Sequence, residues 1–82
     1  MRNKMKWRRG AVEHIAQTYI TTAEGRWAVE WRAYRAIVGT WHLGLSIGDS
    51  GGHLVIACAG TLREIKLMAL SAAGQLYHEF RP

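Results

Sequence analysis

The chain has few of the residues that mark secreted, membrane-spanning or disulfide-rich proteins. Its 82 residues include one cysteine, Cys58, and one proline, Pro82. A lone cysteine excludes an internal disulfide framework and is typical of a reducing compartment. The longest strongly apolar run, Leu54 to Ala59, is far shorter than the roughly 20 residues that cross a bilayer. The sequence therefore predicts a soluble, cytoplasmic protein of one small domain with a thin core.

Aspartate is also scarce, and this bears on the one segment that resembles a catalytic motif. From Gly48 to Val55 the sequence Gly-Asp-Ser-Gly-Gly-His-Leu-Val resembles the nucleophile segment of chymotrypsin-like serine proteases, with a difference at His53. Catalysis in that family also needs a histidine oriented by a buried aspartate. Because Asp49 is the only aspartate in the chain, the triad cannot be assembled in that way. We interpret the segment as a turn.

Metal and nucleotide motifs are missing as well. The four histidines and Cys58 are scattered, with no pair at the spacing of zinc sites. The glycines between residues 39 and 52 lack the endings of a P-loop and of a dinucleotide fingerprint. We expect a buried Cys58 thiol, surface imidazoles, no catalytic residue, no cofactor and no metal. The sequence thus predicts a protein that is not an enzyme.

Positive charge is plentiful, and it is concentrated at the start of the chain. The formal net charge is +5, from eleven Lys and Arg against six Asp and Glu. The first nine residues contain five of these cations, and Gly10 to Pro82 is left with six cations against six anions. Glu13, His14 and Gln17 interrupt the stretch that a secretory signal would need. We predict a basic flexible arm over 1–9 and a single compact α+β domain over 10–82.

The C-terminal half shows helix signals. Thr61 and Glu64 form a capping box, in which each side chain satisfies an unpaired backbone N–H of the first helical turn. Apolar residues then recur at helical spacing, which predicts a helix over about Leu62–Ala73. Gly74 can adopt the left-handed conformation that ends a helix. We therefore expect Gln75–Phe80 to form a short final strand.

Two strands are predicted before this helix. Trp41, Leu43, Leu45 and Ile47 occupy every second position, the period of a strand with one buried face. Leu54 to Ala59 is apolar on both sides, which indicates a strand in the centre of the sheet.

The first half of the chain allows two interpretations. Val12 to Val38 contains helically spaced apolar residues and a second capping box, which would give two helices. The same stretch also alternates as a hairpin, with a loop at Ala23 to Arg26 and Gly25 at the position that needs positive φ. Aromatic and β-branched residues favour the hairpin. We predict an α+β fold, a small, mainly antiparallel sheet packed by one helix, with a helical N-terminal half as the alternative.

The arm and the hairpin supply the candidate partner-binding residues. Lysine and arginine at this density attract nucleic acid by releasing condensed counterions, and a tryptophan among them can stack on a base. A solvated tail that only aids solubility is the alternative. On the hairpin, three residues share the face opposite the tryptophans, and a fourth lies near its end; Arg and Tyr are enriched at interaction hot spots. The candidates are Lys6, Trp7, Arg8, Arg9, Arg26, Arg32, Tyr34 and Arg35.

The four tryptophans exceed what so small a core needs, so we expect one or more at an interface. A plain solvated sheet face is the alternative interpretation for the hairpin residues.

A compact sheet leading into Gly60-Thr61-Leu62-Arg63-Glu64-Ile65-Lys66, without enzyme motifs, resembles the small proteins of phages and mobile elements, anti-CRISPR proteins among them. As a class, anti-CRISPR proteins bind effector complexes and prevent recognition or cleavage of DNA. The resemblance implies a bacterial host cytoplasm and a protein or ribonucleoprotein partner whose nucleic-acid-handling surface is blocked. Many members are acidic mimics of DNA, and the basic arm of this chain departs from that pattern.

Three function hypotheses follow. The first is a non-catalytic binding or inhibitor protein that docks on a macromolecular partner through the arm and the Arg/Tyr sheet face. The second is a small basic DNA- or RNA-binding module, in which the arm contacts phosphates and bases. The third is a homo-oligomeric structural component, a homodimer for instance, assembled through exposed tryptophans.

Overall fold

The computed structural model describes residues 5–36, 38–48 and 52–79. Within these ranges the strands form one antiparallel sheet in which spatial order follows chain order, and the helix packs on one face of it. This confirms the predicted α+β fold, an antiparallel sheet packed by one helix. The elements are β1 (Arg8–Arg9), β2 (Glu13–Thr22), β3 (Gly25–Arg35), β4 (Trp41–Ile47), β5 (Leu54–Ala59) and α1 (Leu62–Glu79).

Strands β2 and β3 form the long hairpin that dominates the sheet. They pair from Glu13 opposite Tyr34 to Thr22 opposite Gly25, so a two-residue loop joins them. Gly25 has a φ of 130°, a value that side chains disfavour. The Thr22 hydroxyl accepts a hydrogen bond from the Glu24 N–H at 3.2 Å, which closes the loop. The hairpin interpretation of the first half is confirmed, and the two-helix alternative is wrong.

Alternation along the strands places one apolar face of the sheet against α1. Trp31, Leu43, Val29 and Ile65 are the largest fully buried side chains. Three of them lie on β3 and β4, the central strands of the meander, and Ile65 comes from the helix. Two buried alanines follow Ile65 at four-residue intervals along α1, and their small side chains let the helix axis lie close to the sheet.

Helix α1 starts as the capping box predicts and ends later than predicted. The Thr61 hydroxyl accepts a hydrogen bond from the Glu64 N–H at 3.2 Å and donates one to the Glu64 carboxylate at 3.0 Å. Gly74 does not take a left-handed φ, so the helix continues through it to Glu79. A glycine inside a helix costs only about 1 kcal/mol relative to alanine. The predicted helix end at Ala73 and the predicted strand over 75–79 are therefore wrong, and residue 80 lies outside the described residues.

Strand β5 lies at an edge of the sheet, not at its centre. Within residues 5–36, 38–48 and 52–79 it pairs with β4 alone, as the last strand in the order β1-β2-β3-β4-β5. Its apolar character therefore does not reflect burial on both sides, and the prediction of a central position is wrong. The Cys58 thiol is exposed on this strand, which also corrects the expectation of a buried thiol. The turn predicted over Gly48 to Gly52 falls largely on residues 49–51, outside the described residues, although Gly48 itself has a φ of 62°.

Candidate binding surfaces

The face of the sheet opposite α1 carries most of the polar side chains of the strands. We call it the open face and define it by the residues that alternate with the buried ones on β2 to β5. One row of paired residues crosses the open face from edge to edge. It starts at Arg8 on β1 and continues through Ile15, Arg32, Gly44 and Val55. The open face consists of Glu13, Ile15, Gln17, Tyr19, Thr21, Arg26, Ala28, Glu30, Arg32, Tyr34, His42, Gly44, Ser46, Val55 and Cys58.

An ionic network lies at the middle of the open face. The Arg32 guanidinium contacts the Glu13 carboxylate at 3.2 Å and the Glu30 carboxylate at 3.1 Å. The His53 Nε2 atom lies 3.6 Å from the same Glu30 oxygen. These side chains are about one-quarter to two-fifths exposed, so water screens the pairs and each contributes little to stability. Arg32 is already bound by two carboxylates, and it offers a partner less free charge than the sequence alone indicates.

Aromatic side chains contact their neighbours elsewhere on the open face. The Tyr34 and His42 rings meet edge to face, with centroids 5.5 Å apart. Gly44 lies directly beneath, and a Cβ there would touch the Tyr34 and His53 side chains at 3.8 and 3.6 Å. At the hairpin end, the Arg26 guanidinium lies 3.9 Å from the centroid of the Tyr19 ring, a cation–π contact.

The described part of the basic arm is anchored to the sheet. Arg8 pairs with Ile15 and Arg9 with His14, so the two guanidinium groups start from opposite faces of β1. Trp7 packs against the core, and the Lys66 ammonium of α1 lies 5.6 Å from the centroid of its ring. We call Lys6, Trp7, Arg8, Arg9 and Lys66 the basic edge. Here a cation of the helix joins three cations of the arm.

The pKa of His14 is lowered by burial and by two cations of the basic edge. Burial lowers the pKa of its imidazole below the ordinary value of 6.5, and the nearby charges of Lys66 and Arg9 lower it further. The ring also meets the Trp41 ring edge to face at 6.0 Å. Burial and both charges disfavour the imidazolium. A neutral His14 therefore adds no cation of its own to the basic edge at neutral pH.

The predicted candidates fall into separate places. Lys6, Trp7, Arg8 and Arg9 lie together at the β1 edge, whereas the other four predicted residues all come from β3. Of these, Arg26, Arg32 and Tyr34 share the open face, as the alternation predicted. Arg35 pairs with Trp41 and shares the parity of the buried residues, at the end of the strand.

Lys66 is the member of the basic edge that no pattern in the sequence indicates. Lys66 and Trp7 lie near opposite ends of the chain, and their contact requires the helix to cross back over the sheet. Trp7 therefore has one ring face over a cation and packs against the core, so a base could stack on that face only by displacing Lys66.

The tryptophans differ in exposure. Trp31 is fully buried, and Trp7 and Trp41 are partly buried against the core, whereas Trp27 is 40% exposed at the hairpin end. Trp27 lines an open apolar groove of about 460 Å³ together with Ile20, Thr22, Ala23, Glu24 and Ile47. Its indole N–H donates to the Thr22 hydroxyl at 3.3 Å. Among the tryptophans, Trp27 is thus the one placed to contact a partner.

Neither a metal centre nor a similar protein accompanies this geometry. Residues 5–36, 38–48 and 52–79 contain no group of three His, Cys, Asp or Glu side chains that could hold a metal ion. Over the same ranges no helix has the length and apolarity needed to traverse a bilayer. Comparison with protein-family models, with curated proteins and with solved structures finds no significant match for this chain.

Proposed function

We propose that this chain is a non-catalytic binding protein that docks on an anionic macromolecular surface through its basic edge and the adjoining open face. The observation that carries the proposal is the attachment of the arm to the sheet. Pairing with β2 holds Arg8 and Arg9 on the sheet, and Lys66 lies over the neighbouring Trp7 ring. Cations on an ordered strand lose less conformational freedom on binding than cations on a free tail.

Charge distribution supports the choice of partner chemistry. Residues 10–82 are formally neutral, so the net charge of +5 comes from the arm. Its described cations Lys6, Arg8 and Arg9 lie at one edge of the sheet, and positive charge gathered there steers an anionic partner toward that edge. Arginine guanidinium groups also bind phosphate and carboxylate groups bidentately, which favours Arg8 and Arg9 as the main contacts.

Continuity with the open face supports a large partner over a small one. The cross-strand row that starts at Arg8 reaches Arg32 two strands away, beside Tyr34 and the Glu13 and Glu30 carboxylates. At the roughly 4.8 Å spacing of neighbouring strands, the part of this row from Arg8 to Arg32 is about 10 Å long. A ribonucleoprotein effector complex has phosphates for the basic edge and protein groups for the mixed charges of the open face. By its resemblance to anti-CRISPR proteins, the chain would inhibit such a complex by occlusion.

Direct binding of DNA or RNA is the second candidate, favoured by the cluster of Lys6, Arg8, Arg9 and Lys66 on one edge. The two candidates differ in free nucleic-acid affinity. A module that binds nucleic acid directly should bind a random 20-base-pair duplex at 50 mM salt and weaken steeply by 200 mM salt. An inhibitor that needs protein contacts as well should bind the purified ribonucleoprotein while showing little affinity for the same duplex.

The experiment uses charge-neutralising variants of the full chain. Arg8→Gln with Arg9→Gln removes two cations of the basic edge, and Arg35→Gln with Arg63→Gln removes two exposed cations outside the basic edge and the open face as a matched control. If both edge arginines contact phosphates, the slope of log K against log salt should flatten by about two units in the first variant and stay unchanged in the control. Fluorescence anisotropy with labelled duplex and labelled ribonucleoprotein measures both. Equal affinities of the two double variants for both probes would overturn the assignment of the basic edge.

A further inference from the structure

The two edges of the sheet are built in opposite ways. Strand β1 is two residues long and consists of Arg8 and Arg9, which matches the short, charged edges that keep sheets from pairing with one another. Strand β5 has six residues, with the sequence Leu-Val-Ile-Ala-Cys-Ala. It contains neither a charged residue nor a proline, and among the residues that the structure describes it pairs with β4 alone. Its other side presents backbone N–H and C=O groups to a partner strand.

Apolar side chains at the start of β5 add to this edge. Leu54, Val55 and Ile56 are 68%, 49% and 38% exposed, and they follow one another in the chain. The register against β4 shifts by one residue here, so Ile56 is the extra residue of a β-bulge. A bulge twists an edge strand but supplies no charge against a partner. Continuous apolar exposure beside unpaired backbone groups is the surface that a second strand covers.

We propose that β5 pairs antiparallel with β5 of a second copy of this chain, joining two sheets into one sheet of ten strands. Such pairing follows a two-fold axis perpendicular to the sheet, so each strand presents the same residues to the other and the assembly closes as a dimer. Both helices then lie on one face, and the two open faces become continuous. The proposal does not depend on the function proposed above, because β1 and its cations lie at the far ends of the dimer.

Charge and symmetry favour pairing of β5 with β5 over the other edge pairings that two copies of this chain could form. Pairing of β1 with β1 would bring Arg8 and Arg9 of two copies together, and like charges directly opposite one another are unfavourable. Pairing of β1 with β5 is head to tail, leaves a free edge at each end and continues into an open series. Pairing of β5 with β5 places no charged residue of either strand opposite another, since Leu54–Ala59 has none.

The surface offered by β5 is small. A standard interface buries roughly 800 Å² per partner, about 13% of the 6022 Å² accessible surface of this chain. Strand β5 contributes six residues. A contact made by one six-residue strand belongs to the class of small, weak interfaces, so we expect a dimer that dissociates on dilution.

Light scattering across a dilution series from about 500 to about 1 μM tests the dimer, and two lysine substitutions test its location. Val55→Lys places a charge on β5, and Leu67→Lys places the same charge on the outer surface of α1, where Leu67 is 59% exposed. We expect a concentration-dependent dimer that Val55→Lys weakens by about thirtyfold or more, the effect of losing one interface hot spot, and that Leu67→Lys leaves unchanged. A chain that stays monomeric throughout, or a dimer equally sensitive to both substitutions, would overturn the proposal.

A distance measurement on the wild-type sequence checks the geometry without any substitution. Cys58 is the chain's single cysteine and is exposed, so a nitroxide label attaches at one site per copy. Because Cys58 is four residues from the start of β5, every register that pairs the two strands keeps the Cys58 Cα atoms within about 27 Å. A dimer through β1 would separate the β5 strands by nine spacings, about 43 Å. A pulsed dipolar distance near the second value contradicts pairing of β5 with β5.

Discussion

Removing the hydroxyl of Thr18 should destabilise the fold, because the buried Trp31 indole N–H then lacks its hydrogen-bond acceptor. The Trp31 indole is fully buried, and its N–H donates to the Thr18 hydroxyl at 2.8 Å. Thr18→Val replaces that hydroxyl by a methyl group of nearly the same shape, so packing is preserved. The indole N–H then has no acceptor in a buried position. Leaving a buried donor unsatisfied costs about 1–3 kcal/mol, more than the hydrogen bond itself contributes.

That loss is large for a domain of this length. At roughly 0.05–0.15 kcal/mol per residue, 82 residues give about 4–12 kcal/mol of total stability. In domains of this size each kcal/mol lowers the melting temperature by about 4–8 °C. We therefore expect Thr18→Val to lower the free energy of unfolding by about 1–3 kcal/mol and the melting temperature by at least about 4 °C.

Urea unfolding followed by circular dichroism measures this effect, at a protein concentration low enough to exclude association. Thr21→Val makes the same chemical change at an exposed position of the same strand, and it should alter stability by less than about 0.5 kcal/mol. In a Trp31→Phe background the donor is absent, so Thr18→Val should then cost less. Equal losses for Thr18→Val and Thr21→Val, or an undiminished loss in the Phe background, would refute the reasoning.

Two further predictions concern a turn and a histidine. Gly48→Ala should lower the free energy of unfolding by on the order of 1–2 kcal/mol or more. The reason is that Gly48 has a φ of 62° and a Cβ there would lie 2.9 Å from the Trp27 ring. Thermal unfolding measures the loss, with Gly52→Ala as the control because a Cβ at position 52 meets open space. His14 has a lowered pKa in the folded chain, so below its ordinary value the unfolded chain takes up the proton first and stability falls as pH drops. His14→Gln should therefore lose less stability than the wild type between pH 7.5 and pH 5.5 in urea titrations; equal losses would show that His14 is not the group responsible.

Local signals predicted the parts of the fold whose causes are local. The alternation of Trp27, Val29, Trp31 and Ala33 with polar residues follows from one buried face, and polar residues such as Arg32 fall on the opposite face for the same reason. The start of α1 could be predicted because Thr61 and Glu64 interact within four residues. Gly25 could be placed because the residue that follows the hairpin loop has a positive φ, which glycine adopts readily.

The wrong or missing predictions concern residues whose neighbours in the fold are distant from them in the sequence. An apolar strand buried on both faces and an apolar edge strand have the same composition, so Leu54–Ala59 could not be assigned to the edge without the order of the strands. Gly74 can end a helix, but packing on either side of it decides whether the helix does end there. The contact of Lys66 with Trp7 depends on the path of α1 across the sheet, and no spacing in the sequence encodes that path.

The charged edge at β1 and the apolar edge at β5 together affect how the chain would bind a long polyanion. If β5 pairs with its copy, the basic edges lie at the two ends of a ten-stranded sheet, about 43 Å apart at the usual strand spacing. Self-association then leaves both edges free, and an extended polyanion that reaches both is held by two sites in place of one. Such bivalence raises the apparent affinity without any new contact. Leu54→Lys places a charge on β5 outside the open face. It should therefore weaken binding to a polyanion of that length while leaving binding to a short oligonucleotide unchanged, although position 54 lies at the opposite edge of the sheet from the basic edge.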